Sequence, residues 1–387
     1  MSAPFFCDNI SFMNNFYLKK VNEQEISEEL ERIGFDSSYL GHASDKYKYI
    51  NIKIFKLTLP QANILKQTAL SLGADCAVNK GVLTSQVQFS DCILGGSISQ
   101  VKQIIEKLKF QQFSMSKLAE EIEKIIIPVK NEPKIVGILN LTSNSFSDGG
   151  LYNDFESAVR HLNLMIEDGA DIIDIGAEST KPYSEGVCAE KQLEKIEPVL
   201  KYISERNIKI PISIDTRSSE VAERVLEYGV SIINDVSGLD FDGNMAKVIV
   251  DSGVKVVIQH SQGTPENMQD NPHYDNIIDE IYLSFCEKLK MGIRKENIIL
   301  DVGIGFGKTK KQNFELIRRI DEFKSLGCEI MLGVSRKSLL DMQNASNEEK
   351  DIYTVALNAL ALERNVDYIR VHNVKLHKKL ISLMKEF

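Results

Sequence analysis

Short unbroken runs rich in Val and Ile recur along the last two thirds of the chain: KIVGILN from Lys134, DIIDIG from Asp171, IPISID from Ile210, VSIIND from Val230, VKVVIQH from Val254, NIILD from Asn297, EIMLG from Glu329 and DYIRVH from Asp367. They start at intervals of roughly 20 to 43 residues, which leaves room for one crossover helix after each, as a parallel barrel of about 250 residues requires. Their apolar positions are continuous rather than alternating, the pattern of strands covered on both faces. Between them the period changes. Ala158, Leu162, Met165 and Ile166 fall on one helical face, with Asn153 and Glu156 as a capping-box-like start and Gly169 as the stop. Val221, Ala222, Val225 and Leu226 form a second stripe, ended by Gly229. This alternation predicts an α/β fold, a (β/α)8 TIM barrel over residues 131–387. No GxGxxG turn follows the first strand, which argues against an open doubly wound sheet.

Residues 1–130 read as a separate unit. A charged helical pattern, SKLAEEIEK, runs into Ile125–Val129, and the polar break Lys130-Asn131-Glu132-Pro133 marks the boundary. Apolar runs at Tyr49–Leu59 and Gln86–Leu94 predict strands, and Gln61–Leu72 and Ser99–Leu108 predict helices, giving a small α/β N-terminal domain. No catalytic constellation stands out in it, so its residues assign it no role.

Charge and composition narrow the function classes. The formal net charge of -9 comes without a basic face, which excludes a phosphate-backbone binder, so no nucleic acid is expected as a partner. No window reaches the ~18 consecutive apolar residues of a membrane span, and Met1 to Asn15 lack a basic region followed by an apolar one, so the expected place is the cytoplasm, away from membranes. The six cysteines (Cys7, Cys76, Cys92, Cys188, Cys286 and Cys328) are scattered, with neither CxxC pairs nor zinc-ligand spacing, and read as reduced packing residues.

In a barrel of this kind the chemistry sits at the C-terminal ends of the strands. Asn140 ends the first and opens the loop LTSNSFSDGG, with Asp148 before paired glycines; the second leads to Glu178-Ser179-Thr180-Lys181. Asp215, Asn234, His260 and Asp301 end the third to sixth, Ser335-Arg336-Lys337 follows the seventh, and Arg370 and His372 close the eighth. Singly, Asp215 or Asn234 could be a helix N-cap, His260 a structural histidine and Arg370 half of a rim ion pair. As a set they put carboxylates, an amide and a basic trio around one mouth. Ionised Asp only accepts and Asn both donates and accepts, a combination suited to a flat heterocycle with several N–H donors. Lys337, Arg370 and His372, with Asn140, can neutralise a diphosphate, and Asn140 could be the single protein ligand of Mg2+. Residue types alone do not choose between a pterin, a purine and a thiamin precursor.

From Gly137 to Gly150 the first loop, GILNLTSNSFSDGG, resembles the dihydropteroate synthase signature. GADIIDIGAESTKP, ISIDTR, IINDVSG, DVGIGFGK, GVSRKS and RVHNV follow in family order, covering residues 134–387. The resemblance implies condensation of a dihydropterin diphosphate with p-aminobenzoate to give dihydropteroate, in a sulfonamide-target enzyme of folate synthesis that is a homodimer. It further implies that Asp215, Asn234 and Asp301 hold the pterin ring with Lys337 donating to it, and that Asn140, Arg370 and His372 hold the diphosphate and its Mg2+. Loops carrying Phe146, Asp148, Thr180, Lys181 and Pro182 would close over p-aminobenzoate, its carboxylate near Ser338 and its ring near Phe306. Diphosphate would leave first, giving a pterin-stabilised carbocation. The sequence departs from the family at Ser143-Asn144 for Pro-Asp, Lys181 for arginine, Val302 for proline and Gln259-His260-Ser261-Gln262 for Met-His-Met-Gln. Two rival readings remain, a corrinoid-linked methyltransferase pterin domain and a non-catalytic pterin-binding module. The SFSDGG loop and the Ser335-Arg336-Lys337 run oppose the first, since methyl transfer needs no diphosphate site; the retained Asn140, Lys337, Arg370 and His372 oppose the second.

Overall fold

The computed structural model describes residues 18–127, 131–141, 151–178, 186–263, 268–337 and 345–386, and the chain divides into two units, Met1–Pro128 and Val129–Phe387. In the first, two short helices, α1 (Ile26–Arg32) and α2 (Leu40–Ser44), precede β1 (Tyr49–Thr58), α3 (Leu59–Leu70), β2 (Asp75–Val78), β3 (Phe89–Ser97), α4 (Ile98–Leu108) and α5 (Met115–Ile126). The central β3 is antiparallel to both neighbours, so β1 and β2 run parallel with α3 as their crossover. Capping boxes start α3 (Thr58 with Gln61) and α4 (Ser97 with Gln100). Leu65, Leu94, Ile104, Leu108, Met115 and Ile122 fill the core between sheet and helices. The expected α/β domain is present. The four-residue β2 and the helices before β1 went unanticipated, because elements this short carry too few positions for a period.

In the second unit β4 (Lys134–Asn140), β5 (Ile172–Gly176), β6 (Ile212–Asp215), β7 (Ile232–Asp235), β8 (Lys255–Gln259), β9 (Ile298–Asp301), β10 (Glu329–Leu332) and β11 (Tyr368–Val371) close into a parallel barrel in the order β10-β11-β4-β5-β6-β7-β8-β9. All eight expected strands are there. The covering helices are α6 (Leu151–Glu167), α7 (Ala189–Glu205), α8 (Ser219–Leu226), α9 (Met245–Ser252), α10 (Ile277–Lys288), α11 (Lys310–Arg318), α12 (Asn347–Leu362) and α13 (Val374–Met384). Gly169 and Gly229, at φ +92° and +78°, end α6 and α8 as expected. Asn153 is not a cap, because α6 already runs through it from Leu151. An N-cap preference of about 1 kcal/mol is too weak to fix a helix start by itself.

The barrel interior explains where the polar residues go. Val136, Ile172, Ile232, Val257, Ile299, Met331 and Tyr368 form one inner apolar layer. Side chains alternate along a strand, so the next inward position lies two residues further on. Five of those seven positions are polar, Asp174, Asn234, Gln259, Asp301 and Arg370, and the other two are Ile138 and Gly333. An apolar plug therefore carries a polar ring directly above it, toward the C-terminal mouth.

Candidate active site at the barrel mouth

Arg370 reaches across the interior rather than lying on the rim. Its Nε donates to Asp174 Oδ2 at 2.6 Å and its Nη2 to Asp215 Oδ2 at 2.7 Å, while Asn234 Nδ2 donates to the same Asp174 oxygen at 3.2 Å. Asp174 is 1% exposed, Asn234 2% and Asp301 3%, so this is charge taken out of water and tolerable only because it is paired. Two oxygens, Asp174 Oδ1 and Asn234 Oδ1, are buried without any hydrogen-bond partner among the described residues. Orphaned acceptors side by side call for a donor-bearing ligand. Neither Asp215 nor Asn234 caps a helix: Ser218 caps α8, and α9 follows Asn244.

Asp301 Oδ1 accepts the Gly303 N–H at 2.7 Å, which turns the chain sharply after β9. That turn needs glycine. Gly303 sits at φ +68°, and a Cβ there would lie 1.8 Å from the His260 carbonyl oxygen. Gly303→Ala should therefore destabilise the fold by at least about 1–3 kcal/mol, read from the denaturant midpoint; an unchanged midpoint would show that the turn is free to relax. Lys337 arches over this loop, donating to the Ile304 carbonyl at 2.6 Å with its Nζ 4.6 Å from the Phe306 ring centroid. Lys308 lies buried within the same loop, with contacts to His260, Gly303 and Phe306.

Burial dominates the titration of several groups at this mouth. It pushes Asp215 up to about 7 against the opposing pull of Arg370, and raises Asp301 against the pull of Lys337. It lowers Lys337 to about 8 and Lys308 to about 7, each against the pull of Asp301. His372 falls to about 3 through burial and the charges of Arg336 and Arg370, so its ring is neutral. The basic trio is thus two cations and one neutral donor. Ser335 Oγ accepts the His372 backbone N–H at 3.1 Å and lies 2.9 Å from Nδ1. The hydroxyl thus fixes the orientation of the neutral imidazole through its Nδ1 side.

Of the other expected residues, Asn140 ends β4 beside Gly176, and Phe306 lies under Lys337. Phe146, Asp148, Thr180, Lys181, Pro182 and Ser338 lie outside the described residues. Arg336, at φ +57°, forms a two-pronged pair with the buried Asp351, at 2.8 and 2.9 Å. Glu178, just before the second loop, accepts from Arg217 at 2.8 Å and from the Val187 N–H at 3.2 Å, and Arg217 stacks 4.0 Å from the Phe241 ring centroid. Asp174, Arg217 and Lys308 were missed by sequence reasoning. For Asp174 the signal was available: it is the lone acid at an inward position of an otherwise apolar strand.

Among the described residues no group of three or more His, Cys, Asp or Glu could hold a metal. A single amide oxygen at Asn140 suits an ion that keeps its waters and binds chiefly through phosphate oxygens, as Mg2+ does.

The profile of a family described as "Pterin binding enzyme" matches residues 136–372. The chain is 31% identical over 375 residues to the bifunctional dihydropteroate synthase/dihydropteroate reductase of Helicobacter pylori, covering 95% of this chain and 98% of that one. A crystal structure of the Clostridium difficile dihydropteroate synthase, obtained in the presence of pteroic acid, superposes with a TM-score of 0.62 at 38% identity, over 67% of this chain and 98% of that one. The chain is also 32% identical to the probable bifunctional folylpolyglutamate synthase/dihydropteroate synthase of Haloferax volcanii, but spans only 40% of that protein's length.

Proposed function

The chain belongs to the pterin binding enzyme family, and from that premise we propose that it is a dihydropteroate synthase, a transferase of folate biosynthesis that joins a dihydropterin diphosphate to p-aminobenzoate. The observation that carries the reading is the juxtaposition of two orphaned buried acceptors, Asp174 Oδ1 and Asn234 Oδ1, with the cations Lys337 and Arg370 at one barrel mouth. Asp215, Asn234 and Asp301 accept from the ring N–H groups, with Asp174 Oδ1 beside Asn234 as a further acceptor, and Lys337 donates to the ring. Arg370 and the neutral His372 ring face the diphosphate.

The bond from the pterin methylene carbon to the diphosphate oxygen breaks, and diphosphate leaves with the electron pair. The arylamine nitrogen bonds to that carbon and loses a proton. Asn140 would hold Mg2+, which when bound supplies neutralising charge to the diphosphate. The chain itself contributes fixed donors and a buried ring rather than a nucleophile, which suits electrostatic stabilisation of a departing anion. The test is diphosphate release by the full-length protein, with and without p-aminobenzoate. Arylamine-dependent dihydropteroate supports the reading, and tight pterin binding without product replaces it by a non-catalytic binding module.

Pterin binding should follow a narrow bell in pH. Asp215 must be ionised to accept, so the acid limb falls as pH drops through about 7; Lys337 must be protonated to donate, so the basic limb falls as pH rises through about 8. A flat affinity between about pH 5 and about pH 10 would remove both groups from the binding step.

No helix among the described residues is long and apolar enough to cross a membrane. The expected homodimer has a candidate face on the neighbouring helices α12 and α13, where Ile352, Tyr353, Leu360 and Leu383 are exposed. Ile352→Glu with Leu360→Glu should convert a dimer to a monomer in analytical ultracentrifugation. An unchanged sedimentation coefficient would place the dimer elsewhere.

One observation favours an additional activity: the likeness to the Helicobacter pylori protein, whose name includes dihydropteroate reductase, runs over both units. On that reading a hydride and a proton add across a C=N bond of dihydropteroate, with the hydride from a nicotinamide or a reduced flavin. Conversion of dihydropteroate to the tetrahydro form by the full-length chain given either reductant tests it, and no conversion with both sets it aside.

A further inference from the structure

Lys308 is a buried cation whose charge feels Asp301 but whose close contacts are carbonyls and one imidazole nitrogen. Its Nζ lies 2.8 Å from the Phe306 carbonyl, 3.0 Å from that of Gly303, 3.2 Å from that of His260 and 3.1 Å from His260 Nδ1. Burial and the neighbouring ammonium hold His260 well below its ordinary value, so its ring is neutral and Nδ1 is free to accept. An ammonium offers three N–H groups to this cage of four acceptors, and a neutral amine only two. The cage joins the end of β8 to the loop after β9.

Two lysines hold that loop. Lys337 donates to the Ile304 carbonyl and covers the Phe306 ring. Lys308 holds the carbonyls on either side of Ile304 in the chain, those of Gly303 and Phe306. On the dihydropteroate synthase reading, on which this step rests, Lys337 must exchange the Ile304 carbonyl for the pterin. The loop then loses that hold while it is forming one wall of the pocket.

We infer that Lys308 is a positioning residue of the pterin pocket: its caged ammonium keeps the loop 302–307, and with it Asp301 and Phe306, in place when Lys337 turns to the ligand. The loop also makes its own turn hydrogen bond, from the Phe306 N–H to the Gly303 carbonyl at 3.1 Å, and the Gly303 N–H bonds Asp301 Oδ1. Asn313 Oδ1 accepts the Gly305 N–H, Gln269 donates to the Gly305 carbonyl and Tyr274 to that of Gly307. Of these, the Phe306 N–H bond spans Ile304, but it ties the loop to itself and not to the end of β8.

The test is equilibrium binding of 6-hydroxymethylpterin to the full-length protein and to Lys308→Met and Lys308→Ala, at a temperature where circular dichroism shows all three folded. Both variants should bind on the order of tenfold to a hundredfold more weakly, the scale of a small misplacement of binding groups. Ethylammonium, which refills the space left in Lys308→Ala with a charged donor, should restore its affinity, and ethanol should not; a merely structural filler would respond to both. Affinity unchanged in both variants, or rescue by ethanol as readily as by the amine, overturns the inference. A wild-type protein that binds no pterin overturns the synthase reading itself and this step with it. If neither variant folds, hydrogen exchange of wild-type residues 303–307 decides: amides that stay protected when pterin binds support the inference, and amides that lose protection overturn it.

Discussion

Arg370→Met should destabilise the barrel by about 3–5 kcal/mol in denaturant unfolding, the usual consequence of removing one member of a buried charge network. Its guanidinium pairs with Asp174 and Asp215 at once, at 2.6 and 2.7 Å. Without it, two carboxylates with side chains 1% and 9% exposed face one another with a single amide donor between them. They will respond by binding protons, and the sign of the pH effect follows. A carboxylate whose folded value lies above its unfolded value stabilises the fold fully below the unfolded value and loses that contribution as pH rises through the folded one. Asp215 is already raised to about 7 with Arg370 present, so in the variant the deficit should be larger at pH 8 than at pH 5, where the acids are protonated. A deficit that grows toward low pH would mean that the pair is not what holds these acids.

The same variant separates two roles. Arg370 shapes the acceptors for the ring as well as facing the diphosphate, so free pterin should bind more weakly and the diphosphate ester should lose more. Equal losses would confine Arg370 to organising the floor of the pocket. Arg370→Lys keeps the charge but cannot reach both carboxylates with one planar fork, and it should recover only part of either property.

Asp215→Ala should abolish pterin binding. Each ring N–H left without an acceptor in a buried pocket is worth about 1–3 kcal/mol, and the substitution also strips Arg370 Nη2 of its carboxylate. Calorimetry with 6-hydroxymethylpterin reads the loss directly, and thermal unfolding separates it from collapse of the fold. Removing a raised carboxylate also removes its pH penalty, so this variant should lose stability less steeply than wild type as pH rises from about 4 toward about 7. Wild-type affinity in a folded Asp215→Ala protein would take this residue out of the site.

The chain's own pattern determined a good deal of this protein. Eight Val- and Ile-rich runs spaced for crossover helices can be satisfied by few folds other than a closed parallel barrel, because each run must be covered on both faces. The polar residues that end those runs then had to gather at one rim, and Asn140, Asp215, Asn234, Asp301, Lys337, Arg370 and His372 could be picked out from position alone. What local pattern cannot encode is which side chains meet across the barrel. Arg370 and Asp174 are 196 residues apart, and Arg370 and Asp215 155. Their contact exists only because barrel closure brings β11, β5 and β6 to point at one axis. The same closure removes water, and burial makes His372 neutral, draws Lys337 and Lys308 down toward neutrality and lifts Asp215. Residue types and their order were legible in the sequence; pairing and charge state were decided by the tertiary structure, because both depend on distance and solvent access rather than on neighbours in the chain.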